Sequence, residues 1–188
     1  MLKNSLKNIK EIFEKAKKGD KKSFSEIHEA YFKPLYRYVY LRIGNKAESD
    51  DLAQDIFIKA LNSAEYPASR DYSPIFHFYD IARKSVLDWK RKRRSAVFAE
   101  DNIENYSDAK AGKSDENLKD EEFDNFHKAL RELPDNEQDA VIFKFIGGLS
   151  SGDTESLLGV SVRTALRLEA QGLISIRDIL KKQYERQL

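Results

Sequence analysis

The amino-acid sequence predicts an all-α fold of two small helical domains joined by a flexible acidic linker, the second domain a helix-turn-helix. Three observations lead there. Apolar residues recur at the three- and four-residue spacing of amphipathic helices over most of the chain, and no alternating pattern of useful strand length appears. Residues 96–114 are acidic, small and aperiodic, which is the composition of a linker. Beyond them, two helical stretches flank the tight-turn triplet Gly159-Val160-Ser161, the outline of a helix-turn-helix.

The elements follow in order. A charged amphipathic helix runs from about Ser5 to Lys18 and stops at Gly19-Asp20. Ser23 with Glu26 three residues on predicts a capping box, opening a helix with Phe24, Ile27, Tyr31, Leu35 and Tyr38 at core spacing until Gly44, with Pro34 as a candidate kink. A third helix spans about Glu48 to Asn62. After the loop "SAEYPASRDY", Ser73-Pro74 is a good N-cap and first-turn pair for a long helix ending in "DWKRKRRS". These four helices make the first domain, residues 1–95. In the second, residues 115–188, a helix is expected near Glu116–Glu132, then one capped by Asp135 and ended by Gly147-Gly148, then the two short helices of the helix-turn-helix.

The chain has 188 residues and no cysteine, so it owes nothing to disulfides and fits a reducing compartment. No run approaches the roughly 20 apolar residues of a membrane span, and the N-terminus lacks the apolar block of a signal peptide, so a cytoplasmic protein without membrane insertion is expected. The net charge of +1 conceals segregation. Asp80–Arg94 holds seven basic residues against two acidic ones, and Glu100–Glu122 nine acidic against three basic. One block suits phosphate; the other repels it.

Catalysis finds little support. His28, His77 and His127 are scattered without metal-ligand spacing, no cysteine nucleophile exists and no glycine-rich phosphate loop appears, so neither an enzyme nor a cofactor is expected.

Two stretches carry more information. In "DLAQDIFIKAL", Leu52, Ala53, Ile56 and Ala60 form a buried stripe with Phe57 and Leu61 at its edge, while Asp51, Gln54, Asp55 and Ile58 point the other way. An isoleucine on a solvated face is ordinary by itself, but an apolar anchor with a polar rim is also the anatomy of a protein interface. In "RKSVLDWKRKRR", the basic residues exceed what a helix C-terminus needs, and Tyr72, Phe76, Phe78, Tyr79 and Trp89 interleave with them. Cations beside aromatics suit a surface that holds phosphate and stacks unpaired bases, although core packing is expected to claim at least half of those rings.

From about Gly19 to Lys182 the chain resembles a bacterial extracytoplasmic-function sigma factor. "GDKKSFSEIHEAYFKPLYRYV" resembles the family's opening helices, "ESDDLAQDIFIKAL" its polymerase-binding helix, "FYDIARKSVLDWKRKRR" its promoter-opening helix and "LRELPDNEQDAVIFKFIGGLS" the start of its second domain. The resemblance implies a factor that binds core RNA polymerase, recognises a promoter and opens it. Asp51, Gln54, Asp55 and Ile58 would dock on the clamp helices of the polymerase's largest subunit. Arg83, Lys84, Trp89, Arg91, Lys92 and Arg94 would meet minus-ten DNA, with the loop at 63–72 near a flipped base. Arg163, Thr164 and Arg167 would meet the minus-thirty-five element.

The second domain departs from the family pattern. Thr154 and Glu155 replace an isoleucine-alanine pair, and Leu166, Leu168, Glu169, Ala170 and Gln171 stand where polar or basic residues are expected. Gly172 weakens the helix by ~1 kcal/mol relative to alanine. Minus-thirty-five recognition is therefore expected to be weak or altered, with the domain docking on the polymerase flap, an anti-sigma factor or a DNA-bound recruiter. A dimeric helix-turn-helix regulator acting without polymerase, and a helical interaction protein, are the alternatives.

Overall fold

The computed structural model describes the backbone of residues 2–63, 74–99 and 118–185, and side chains over 9–63, 74–95 and 122–185. Ser73, Tyr72 and the loop at 64–73 lie outside the described residues, as does the expected linker beyond Ala99. Every regular element among the described residues is helical.

Four helices make the first half: α1 (Leu2–Lys17), α2 (Lys21–Ile43), α3 (Lys46–Asn62) and α4 (Pro74–Ala99). Asp20, rather than Ser23, caps α2: its carboxylate accepts from the Ser23 backbone N–H at 2.8 Å. The cap lies three residues earlier because Ser23 faces inward and is buried. Asn45 caps α3 in the same way, accepting from the Glu48 N–H at 3.1 Å. Between these helices Phe24, His28 and Phe32 gather around Phe57, and Phe13 and Tyr31 lean on Phe78. Each ring comes from an inward register position of its helix, so the aromatic centre follows directly from the apolar spacing.

The second half holds α5 (Leu118–Arg131), α6 (Asp135–Val141), a π-helical turn at Ile142–Ile146, α7 (Ser151–Leu158) and α8 (Val162–Glu185). Asp135 does not cap α6. Pro134 occupies the cap position without a side-chain hydrogen bond, and the Asp135 carboxylate turns to cations on α2 and α4 instead. Ser150 and Asp153 form a complete capping box on α7. Gly159 ends that helix at φ +67°, a conformation strained for any residue with a Cβ, and so sets the helix-turn-helix corner.

The second helix of that motif is not short. α8 runs 24 residues and passes straight through Gly172. The reason is close approach: a Cβ on Gly172 would lie 2.5 Å from Val141 Cγ2 and 3.3 Å from Leu133 Cδ2, so glycine lets α8 seat against α6. The local propensity cost is offset by packing.

The two halves share one core. α5 lies against α2, and α7 against α4. Phe143, from the π-helical turn, stacks on Tyr38 with ring centres 5.2 Å apart and tilts against Tyr79 at 5.3 Å.

Candidate nucleic-acid interface

The outer face of α3 is where the apolar periodicity puts it. Ala53, Ile56, Phe57, Ala60 and Leu61 are buried, while Asp51, Gln54, Asp55 and Ile58 are exposed, Ile58 by 48%. Gln54 donates to Asp50 at 3.2 Å, so the rim is organised along its own helix. A half-exposed isoleucine ringed by carboxylates and an amide offers an apolar anchor in a polar setting.

α4 carries the cations. Its first turns pack inward: His77, Phe78 and Tyr79 are buried and Phe76 is half-buried, so two of the four described aromatics belong wholly to the core. Trp89 is half-buried against the core, and the Arg93 guanidinium lies 5.1 Å from its ring centre. Arg93 also pairs with Glu48 at 2.6 Å, tying α4 to the start of α3. Lys84, Arg91, Lys92 and Arg94 are exposed, Lys84 pairing with Asp80 and Arg91 with Asp88 one turn away. Such exposed pairs are worth under about 1 kcal/mol and yield readily to phosphate.

Arg83 is placed differently. Its Nε donates to Asp139 Oδ2 at 3.0 Å and its Nη2 to Asn136 at 3.0 Å, so its guanidinium is turned toward α6. Lys90, which sequence reasoning did not single out, donates to Asp135 at 2.6 Å. Behind them lies Arg42, whose side chain is fully buried: Nη2 meets Asp135 Oδ1 at 2.7 Å, Nε lies 3.0 Å from Asp139 Oδ1, and Nη1 donates to Gln138. Tyr38 Oη donates to the same Asp139 oxygen at 2.9 Å. Burial pulls the Asp135 carboxyl upward, but Lys90 and Arg42 together outweigh it and bring it down to about 2. The Lys90 ammonium is itself pushed down, by burial first and then by the charge of neighbouring Arg42. Burial likewise pushes the Tyr38 phenol well above its ordinary value, with the Asp139 charge adding to it.

Only the spacing within each helix was visible in the sequence. Tyr38 and Arg42 continue the buried stripe of α2 at i and i+4, and Asp135 and Asp139 have the same spacing on α6. Neither stretch alone says that the two faces meet, so the pairing itself is visible only in the fold.

Near the end of α3 a cavity of about 160 Å³ is lined by Lys10, Phe13, Lys17, Ala60, Ser63 and His77. Lys17 donates to the Ser63 carbonyl at 2.5 Å, and His77 Nε2 lies 2.7 Å from Ser63 Oγ and 3.0 Å from the Ala60 carbonyl. Burial first of all holds His77 below its ordinary pKa. These bonds fix the last described residue before the loop at 64–73.

On α8, Arg163 and Arg167 are exposed, whereas Thr164 is half-buried and engages Ser161, whose hydroxyl caps the helix at Thr164 N–H. Leu166, Leu173 and Ile174 are 41–49% exposed on the same helix. Glu169 does not face outward, where it would oppose phosphate. It is buried, and its carboxylate accepts from Ser151 at 3.3 Å, because residue 169 follows buried Ala165 by one turn. Thr154 is buried in α7 and spends its hydroxyl on the Ser150 carbonyl at 3.1 Å.

No group of three or more metal-ligating side chains occurs among the described residues, and no helix among them is long and apolar enough to cross a membrane.

Residues 27–96 match the sigma-70 region 2 family. The chain is 27% identical over 185 residues to the ECF RNA polymerase sigma factor SigW of Bacillus subtilis, covering 93% of this chain and 96% of that one. It is 28% identical over 174 residues to the ECF RNA polymerase sigma factor BldN of Streptomyces coelicolor, covering 90% and 65%. Its fold is similar to that of the sigma factor RpoE in complex with the anti-sigma factor NepR from Bartonella quintana, with TM-score 0.65, 22% identity and 85% and 98% of the two chains covered. It is also similar to CnrH in complex with the cytosolic domain of CnrY, with TM-score 0.64, 16% identity and 91% and 96% covered. Residues 27–96 thus carry a sigma-70 region 2 match, and over most of its length the chain is similar to extracytoplasmic-function RNA polymerase sigma factors.

Proposed function

We propose that this chain binds core RNA polymerase, places it at a promoter in the cytoplasm and stabilises the melted strand, with no catalysis of its own. The observation that carries the reading is the pairing, inside the sigma-70 region 2 match, of an exposed apolar anchor on α3 with an exposed cationic end of α4. Asp51, Gln54, Asp55 and Ile58 contact polymerase. Lys84, Arg91, Lys92 and Arg94 meet the phosphates of the minus-ten region, and Trp89 and Arg83 join them once their present partners are displaced. Residues 1–95 act as the polymerase-binding and melting unit and 115–188 as the upstream unit.

The upstream unit reads DNA weakly. Arg163 and Arg167 remain as phosphate contacts, but they flank Leu166, Leu173 and Ile174, and an apolar surface gains more from protein than from a major groove. Its partner is the polymerase flap, an anti-sigma factor or a DNA-bound recruiter.

The test is run-off transcription with core polymerase on two promoter libraries, one randomised at each element. Transcripts that depend on this protein, with stronger selection at the minus-ten than at the upstream element, are expected. Absence of both transcription and core capture would overturn the reading.

A further inference from the structure

The cavity at the end of α3 is lined from three helices. Lys10, Phe13, Glu14 and Lys17 come from α1, Ala60 from α3 with Ser63 just past it, and His77 from the first turn of α4. Its volume of about 160 Å³ gives room for about five waters at the ~30 Å³ each takes in the liquid. Ser63 and His77 stand on either side of residues 64–73 in the sequence, so the cavity lies beside both ends of that loop.

Its charges are sorted by depth. The Lys17 side chain is only 21% exposed and that of Glu14 63%, and their separation of 3.7 Å is loose for an ion pair. The ammonium is held inside by the Ser63 carbonyl at 2.5 Å, while the carboxylate reaches outward. Lys10, half-buried two turns earlier on the same face of α1, brings a second ammonium. Ser63 Oγ donates to the Ala60 carbonyl at 3.0 Å and lies 2.7 Å from His77 Nε2, so these two side chains form wall and leave the grip to the lysines. Buried Phe13 and Ala60 make the floor. Farther along α4, Asp80 is already paired with Lys84 at 2.8 Å.

Two ammoniums against one outward carboxylate leave positive charge that an anion can meet. A phosphate group suits it, because it carries more than one negative charge and three acceptor oxygens, and lysine binds it as a point charge. An apolar ligand would strip water from both ammoniums and return nothing.

We propose that this cavity is a phosphate-binding site, in which Lys10 and Lys17 hold the anion above Phe13 and Ala60 and Glu14 limits its affinity. The site does not depend on how α4 meets DNA, and free phosphate tests it with neither polymerase nor promoter present. Two sources present the same group: the backbone of a strand passing the loop at 64–73, or a free phosphorylated compound.

The test follows His77 and Ser63 by nuclear magnetic resonance in the full chain, with inorganic phosphate titrated against sodium chloride at constant ionic strength. Bound phosphate should shift both residues saturably. It should also raise the His77 pKa, which burial holds below its ordinary value and on which Asp80, Lys17 and Lys84 already act. Lys10→Gln is expected to weaken phosphate binding about tenfold, through loss of one charge-assisted contact. Glu14→Gln should tighten it about threefold, as removal of an exposed opposing charge does. Lys22→Gln and Glu29→Gln, at exposed positions of α2 outside the cavity lining, repeat the two charge changes and should alter it little. Circular dichroism checks that each variant is folded.

A mixed-sequence single-stranded decamer and deoxyadenosine monophosphate separate the sources. Matching shifts from the decamer, displaced by phosphate and lost with uncharged methylphosphonate linkages, support the site and assign it to a strand. Shifts from phosphate and the mononucleotide alone support it and assign it to a free compound. No saturable shift with any probe would overturn the proposal. So would parental affinity in Lys10→Gln, or tightening by Glu29→Gln equal to that by Glu14→Gln. Failure of core capture and transcription with phosphate binding intact would sink the functional reading and leave this site standing.

Discussion

Arg42 Nε lies 3.0 Å from Asp139 Oδ1, and neither side chain has any exposure. The pair is close in charge but off line for a hydrogen bond at Nε, whose donor is left unmet. Asp139 therefore has two better-aligned donors, Arg83 and Tyr38, while Arg42 leans on Asp135 and Gln138. A removal that leaves a buried charge without partners typically costs 3–5 kcal/mol.

The two removals differ. Asp139→Ala leaves Arg42, Arg83 and Tyr38 all short of a partner and is expected to cost about 3–5 kcal/mol. Arg42→Leu leaves Asp139 with Arg83 and Tyr38 and fills the space with apolar volume, so about 2–3 kcal/mol is expected. Urea unfolding followed by circular dichroism measures both, and the reverse order would mean that Arg83 and Tyr38 contribute little.

Ile58→Asp is expected to leave stability within about 0.5 kcal/mol, because the side chain lies outside the α3 stripe. Affinity for core polymerase should fall by more than ~1 kcal/mol, as loss of an apolar anchor does. Thermal unfolding and competition binding against a labelled sigma factor check the two halves of the expectation. A collapse in melting temperature would return Ile58 to the core.

Replacing Arg91 and Arg94 together with alanine should lower the slope of log affinity against log salt by about one unit for each phosphate that is no longer neutralised. Both side chains are exposed, so the fold should tolerate the change. An unchanged slope in a salt titration would mean that the end of α4 is only solvated.

The element pattern was legible because it rests on local physics, apolar period and breakers, although the expected caps Ser23 and Asp135 gave way to Asp20 and Pro134. The α3 outer face followed from the same period, since exposed and buried positions are one alternation seen from two sides. What the sequence did not disclose were events needing a second element. Asp135 has the look of an N-cap, and only the presence of Arg42 and Lys90 across the seam turns it away from its own backbone. Gly172 is a helix weakness until α6 arrives to require it. Glu169 reads as an outward-facing residue only while the neighbouring helix is unplaced.

Gly172→Ala separates local from tertiary preference. Alanine is favoured over glycine in a helix by ~1 kcal/mol, so an isolated α8 would be stabilised. In the fold, the new methyl meets Val141 Cγ2 at 2.5 Å, and Val141 is a stiff, buried, β-branched residue. Overpacking of this kind costs about 1–3 kcal/mol. A net loss of stability is expected in urea unfolding, and a gain would show that α8 can move away from α6 at no cost.

His77 and His127 give the protein a pH dependence. Both are buried and held below the ordinary histidine value of 6.5, burial being the main cause in each. For His127 the charge of Arg131 adds to it. Each Nε2 faces a backbone carbonyl, Ala60 for His77 and Leu41 for His127, and the neutral ring donates there. A folded-state pKa below the unfolded value means that the unfolded chain takes up protons first as pH falls. Stability is then complete above about pH 6.5 and declines as pH drops through 6.5 toward the folded values. The melting temperature should accordingly fall between about pH 7.5 and 5.5. His127→Gln, which keeps a donor for the Leu41 carbonyl without the titration, should remove part of that fall. His77 lies in the first turn of α4 and faces the end of α3, apart from His127, so its share persists in the variant. A melting temperature flat across this range, or unchanged pH dependence in His127→Gln, would mean that both rings can be protonated in place.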